Sequence, residues 1–178
     1  MTIPRLNKVG FCAHYSPQGD WAFDYALSLA RRGRIPLNVF HFLTDPYDGA
    51  SAPPTNLTRQ ERDALAVQRE RELRMYYDHR AGDYLEVGFR LCEDNEWTEL
   101  HRCLLHREFQ TLVLGYVAVD ATFAGWPIEE FADSFVCPVV LVGPDHPRRF
   151  RLNKPAALLP ERLGLSADEW HRIELAAK

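Results

Sequence analysis

A chain of 178 residues has room for one ordinary domain and not for two, and its 46% apolar and 12% aromatic content excludes global disorder. The formal charge of −4 divides unevenly: residues 1–143 carry 14 Lys/Arg against 20 Asp/Glu, and residues 144–178 carry 7 against 5. An acidic body without a basic stripe argues against nucleic acid or an anionic membrane as partner, since both are held through clustered cations.

The run Lys8-Val9-Gly10-Phe11-Cys12-Ala13 enters a Ser-Pro-Gln-Gly cluster and predicts a buried strand over 7–13 that ends in a loop. From Asp20 the apolar residues Ala22, Tyr25, Ala26 and Leu29 recur at helical spacing until Arg31-Arg32-Gly33, where cations and a glycine suit a helix end. A second strand over 36–43 follows, and strand, helix, strand within about 35 residues is a βαβ unit with parallel strands. Residues 44–57, rich in Pro, Gly and Ser, read as a loop. Thr58 and Glu61 form a capping-box pattern that opens a long helix to about Arg80, whose 6 basic and 5 acidic residues interleave as on a solvated face. Strands near 85–92, 111–117 and 138–142 complete the pattern. Between them lie helices over 96–109, with Trp97, Leu100, Leu104 and Leu105 inward, and over 128–135. Five strands alternating with four helices predict an α/β sandwich, its five-stranded parallel sheet covered by helices on both faces. Beyond Gly143 the alternation stops; Ser166 with Glu169, and Leu165 with Trp170, mark a short helix over 167–177 in a cation-bearing extension.

Cys12, Cys92, Cys103 and Cys137 have neither Cys-x-x-Cys spacing nor paired histidines, so neither a zinc site nor a redox pair is expected. No apolar run approaches the roughly 18–20 residues of a membrane span, and the first residues lack a signal-type stretch. The expectation is a soluble, reduced, cytoplasmic protein with no membrane partner. Gly-x-Ser-x-Gly, P-loop and His-Glu-x-x-His patterns are missing, so no catalytic residue and no metal ligand is assigned. Asp20 and Asp24, four apart at a helix start, are accounted for by the helix macrodipole. His14 and His41 stand at the ends of neighbouring strands, where parallel α/β sheets bind ligands. Packing and ligand contact both stay open for them.

The order and the local sequences together resemble the universal stress protein family over residues 6–143. Val9-Gly10-Phe11-Cys12-Ala13-His14-Tyr15-Ser16 sits where that family has an apolar strand ending in Asp-Gly-Ser, and Phe40-His41-Phe42 looks like its Leu-His-Val strand. Glu93-Asp94-Asn95 resembles its Gly-Asp-Pro turn, Leu112-Val113-Leu114-Gly115 its fourth strand, and Cys137-Pro138-Val139-Val140-Leu141-Val142 its last. The resemblance implies a Rossmann-like, adenine nucleotide alpha hydrolase-like fold with strand order 3-2-1-4-5. It implies a domain at residues 1–143, an extension at 144–178, and a homodimer through the last strand and the extension; an apolar last strand at an open sheet edge points the same way. ATP or AMP would be the cofactor, with His14, Ser16, His41, Gly115, Tyr116 and Gly125 as candidate cleft residues.

The departures from the family bear on function. ATP-binding members carry G-x2-G-x9-G-(S/T) after the fourth strand, where glycines let backbone N–H groups approach phosphates. Gly115 matches the first glycine, but Ala118 replaces the second and Trp126 replaces the hydroxyl residue. Gly125 arrives three residues early, Asp120 places a carboxylate inside the loop, and His14 replaces the Asp at the adenine end. The chain therefore reads as a non-catalytic regulatory or binding homodimer with a degenerate nucleotide site and a small-molecule ligand. Two other readings stay open: an adenine-nucleotide or small-ligand sensor or enzyme using the remodelled cleft, and a scaffold module whose tail docks on a partner protein.

Overall fold

A computed structural model describes residues 6–43, 45–47, 57–92 and 97–158. The expected helix over 167–177 and the Glu93-Asp94-Asn95 turn lie outside the described residues. Strand β1 (Val9–Cys12) is wholly buried and leads to helix α1 (Pro17–Gly33), whose first turn is fixed by Ser16: its Oγ accepts from the Gly19 N–H at 2.9 Å. Arg34, at φ 52°, is the left-handed residue that closes α1, so Gly33 lies inside the helix. Strand β2 (Leu37–Phe42) pairs with β1, and helix α2 (Arg59–Ala81) opens on the expected capping box. There the Thr58 N–H donates to Glu61 Oε2 at 2.7 Å and the Glu61 N–H to Thr58 Oγ1 at 3.2 Å.

Strand β3 (Val87–Cys92), helix α3 (Trp97–Leu105) and strand β4 (Thr111–Gly115) continue the alternation. A small hairpin, β5 (Thr122–Phe123) with β6 (Trp126–Pro127), precedes helix α4 (Ile128–Asp133) and strand β7 (Val139–Val142). The order β3-β2-β1-β4-β7 is the expected 3-2-1-4-5, with every one of these pairings parallel. Two cores cover the sheet. Phe11, Phe23, Leu29 and Tyr77 fill the face under α1 and α2, while Phe40, Leu100, Phe109 and Phe131 fill the face under α3 and α4. All four cysteines are buried, and none forms a disulfide.

The sheet has six strands where five were expected. Strand β8 (Phe150–Leu152) runs antiparallel along β7, with Val140 opposite Leu152 and Val142 opposite Phe150, and a 3-10 turn (Lys154–Leu158) follows. The edge of β7 that was expected to be open is thus covered by the chain's own extension. A three-residue strand that exposes Arg151 and Leu152 leaves no alternating pattern to read. Leu105 also departs from expectation, at 82% exposure. Leu100 and Cys103 set the buried face of α3, and a residue five positions after Leu100 falls about 140° around the helix from it.

Asn153 holds β8 in place. Its Nδ2 donates to the carbonyls of Ala132 at 3.0 Å and Cys137 at 2.9 Å, and its Oδ1 accepts from the Val139 N–H at 2.8 Å. At 4% exposure none of these groups has water as a ready substitute. Asn153→Ala is expected to cost about 3 kcal/mol in urea denaturation, since each abandoned buried group costs about 1–3 kcal/mol, and a loss below about 1 kcal/mol would show that β8 is held by other contacts.

Candidate functional site

A cavity of about 350 Å³ opens where β1 and β2 end beneath α2. The turn after β1 brings His14 and Tyr15 to it, β2 brings His41 and Phe42, and one face of α2 brings Arg69, Glu72 and Leu73. Sequence reading expected α2 to be a solvated face, and Arg69 and Glu72 were missed for that reason. Their i,i+3 spacing on the side of the helix that carries Leu73 and Tyr77 toward the core is the signal that could have found them.

His14 is tied down on both ring nitrogens. Its Nδ1 lies 2.8 Å from Ser16 Oγ, its Nε2 lies 3.3 Å from Asp45 Oδ2, and its ring packs on Tyr47 at a centroid distance of 4.3 Å. A carboxylate at Nε2 makes that nitrogen the donor, so in the neutral ring Nδ1 accepts from the Ser16 hydroxyl. The hydrogen bond from His14 holds the Asp45 carboxyl below its ordinary range, with the Tyr47 N–H adding to the effect and burial opposing it. The resulting Ser16–His14–Asp45 chain has the connectivity of a nucleophilic triad. Ser16 Oγ, however, already accepts the Gly19 N–H as the cap of α1, and Ser16 does not line the cavity.

His41 is 2% exposed, and among the described residues neither Nδ1 nor Nε2 finds a hydrogen-bond partner. Burial lowers its pKa from the ordinary 6.5; Glu70 opposes the shift, and Arg74 and Arg69 add to it. The ring is therefore neutral at pH 7, with one N–H and one lone pair unspent. Among the described residues no three His, Cys, Asp or Glu side chains converge as a metal site, and the donors of this cavity suit an organic ligand.

The remaining candidates do not line this cavity. The strand order reverses between β1 and β4, which is where open parallel sheets place a ligand. That position is taken by Tyr47, whose buried hydroxyl lies beside Cys12 and the Gly115 backbone; burial pushes its pKa well up, with the Gly115 N–H opposing the shift. Tyr47 packs edge-on against Phe123 at 5.1 Å, and the Ala124 N–H donates to the Pro46 carbonyl at 2.8 Å, which joins the segment after β2 to the β5–β6 hairpin. Gly115 is a glycine because the first turn of α1 leaves no room for a Cβ there. Gly125, at φ 83°, follows Ala124, at φ 52°, in the two-residue turn of the hairpin. The Tyr116 hydroxyl donates toward Glu129 at 2.5 Å, and burial, together with that carboxylate, pushes its pKa up to about 12. Asp20 and Asp24 meet Arg80 of α2 at 3.8 Å and 3.0 Å, so they join two helices. Asp45 and Tyr47 were missed because a Pro- and Gly-rich loop gives no sign of where it folds back.

No protein-family model and no curated protein matches the chain. Solved structures do. Universal stress protein UspA from Lactobacillus plantarum is 14% identical with a TM-score of 0.57, covering 79% of this chain and 100% of its own. A universal stress protein family member from Burkholderia pseudomallei is 20% identical with a TM-score of 0.51, covering 76% and 95%. A universal stress protein in complex with cAMP is 17% identical with a TM-score of 0.51, covering 78% and 97%. The chain has the universal stress protein fold.

Unfolding returns His41 to its ordinary pKa of 6.5, so below that value the unfolded state takes up a proton that the folded state refuses. Stability is full above that value and is lost as pH falls through it toward the lower folded pKa. In His41→Phe the loss between about pH 7.5 and about pH 5.5, read from urea midpoints, is expected to shrink; an unchanged loss would count against a neutral buried ring.

Proposed function

We propose that the chain is a non-catalytic, universal-stress-protein-like regulatory or binding protein, with a degenerate nucleotide site, that takes a small molecule in the cavity between the β1 and β2 ends and α2. The observation that carries the reading is Tyr47: an aromatic side chain occupies the crevice where the strand order reverses. Two further features support it. The backbone of α1 fills the space beside Gly115, and Gly125 belongs to a tight hairpin turn, so neither glycine is part of a phosphate-cradling loop. His14 and His41 then serve the small-molecule cavity. The cytoplasmic setting inferred from four cysteines without a disulfide belongs to the same proposal. So does the homodimer, with a changed seat: β8 covers β7, so a second copy pairs along Phe150–Leu152 or docks elsewhere. No helix among the described residues is long and apolar enough to cross a membrane.

The Ser16–His14–Asp45 chain favours a second reading, a hydrolytic enzyme working at the turn after β1. It predicts release of p-nitrophenol from p-nitrophenyl acetate that is lost in Ser16→Ala. Without such turnover the non-catalytic reading stands.

Calorimetric titration with magnesium-ATP, AMP and cAMP decides the nucleotide question; cAMP enters the panel because one protein of the same fold was solved with it. No saturable heat is expected from ATP up to about 1 mM, which corresponds to binding weaker than about −4 kcal/mol. Ala118→Gly combined with Trp126→Ser is expected to leave that result unchanged, because the loop stays three residues short. Tight, magnesium-dependent ATP binding by the wild type would overturn the reading.

A further inference from the structure

His41 lines the cavity, and its two ring nitrogens, nearly without accessible surface, have no hydrogen-bond partner among the described residues. Buried polar atoms are ordinarily satisfied, and one that borders a cavity is satisfied by what enters it. Arg69 and Glu72, three residues apart on one face of α2, add opposite charges. Among the described residues neither takes part in an ion pair. Arg69 gives one N–H to the Phe42 carbonyl at 3.2 Å, and Glu72 accepts from Gln68 at 3.1 Å, so these hydrogen bonds both go to neutral groups, although Arg69 also acts on the Asp45 carboxylate. Both charges act on the Tyr15 hydroxyl, which places them around the same opening. Asp45, the other carboxylate at the cavity, is engaged by His14.

One cation with two carboxylates is a poor lining for a polyanion and a suitable one for a ligand that carries both signs. Phe42 and Leu73 supply an apolar wall between them. A volume of about 350 Å³ lies at the small end of ligand pockets, roughly 300–1,000 Å³, and fits a molecule of amino-acid size. We infer that the cavity binds a zwitterion of amino-acid type, its carboxylate on Arg69 and the His41 N–H, its ammonium on Glu72, and its side chain against Phe42 and Leu73. The inference rests on the small-molecule reading of the same cavity given above.

The test titrates the full chain with the free amino acids, with N-acetyl amino acids that lack the ammonium, with amino-acid amides that lack the carboxylate, and with adenosine and magnesium-ATP. At least one free amino acid is expected to give saturable heat and raise the melting temperature, with each single-charge analogue weaker by about tenfold or more. Arg69→Gln and Glu72→Gln are each expected to weaken it by about tenfold. His41→Phe should abolish binding while leaving the ligand-free melting temperature unchanged or higher, since it removes two unpaired buried nitrogens. Binding that survives His41→Phe overturns the assignment. If the single-charge analogues or adenosine bind and zwitterions do not, the amino-acid inference fails and the small-molecule reading stands. If only ATP binds, the reading itself fails, and if nothing binds at about 10 mM both fail.

Discussion

The first turn of α1 lies against the end of β4 with no side chain between them. A Cβ on Gly115 would stand 2.9 Å from the Gly19 nitrogen and 3.0 Å from the Gln18 carbonyl carbon, and one on Gly19 would stand 2.0 Å from the His14 carbonyl oxygen. Those are backbone atoms, which have no rotamer to swing aside, so the approach depends on glycine at 115 and the turn that leads into α1 on glycine at 19. From it the ligand end of the sheet takes its shape. Ser16, capping that turn, is held where His14 can reach it, and His14 in turn reaches Asp45. Gln18 extends the arrangement to the other side by donating to the Pro144 carbonyl at 2.8 Å, close to where the chain turns toward β8.

Once that turn is fixed, aromatic packing decides which space remains. Tyr47 lies between His14 and Phe123, and Phe123 continues to Phe42 and Phe131. The stack closes the crevice between β1 and β4 and leaves the opening between β1, β2 and α2. A cavity placed there draws its polar groups from a helix face instead of from a glycine-rich loop. Its polar lining is therefore one of single charges on Arg69, Glu72 and Asp45 beside the imidazoles of His14 and His41, a different recognition problem from that of a phosphate chain.

The strands and their order were legible because β1, β4 and β7 are buried on both faces and read as unbroken apolar runs. The capping box at Thr58 and Glu61 was legible because it is a local device written within four residues. Long-range placement was not legible. Nothing near Tyr47 in sequence says that it packs beside Cys12 and Gly115, and only its place on the Leu73 and Tyr77 side of the helix sets Arg69 apart from the solvated arginines of α2. His41 could be singled out as a strand-end histidine, but its lack of partners is a property of its neighbours in space. Leu105 was misplaced because an apolar residue was read as inward without its angle around α3. Strand β8 was missed because its pairing with β7 is specified by Asn153, one polar residue whose three hydrogen bonds all go to other segments.

That last arrangement has a consequence for the order in which the chain is made. Strand β7 leaves the ribosome before β8, so its free edge remains a template for any passing strand until Phe150–Leu152 and Asn153 follow. At roughly 5–20 residues per second the interval is on the order of one second. The connection from Val142 to Phe150 is short, and a hairpin of this kind closes in about 1–10 μs once both strands are available. Synthesis, not pairing, thus sets how long the nascent sheet stays vulnerable to association with its neighbours on the same message.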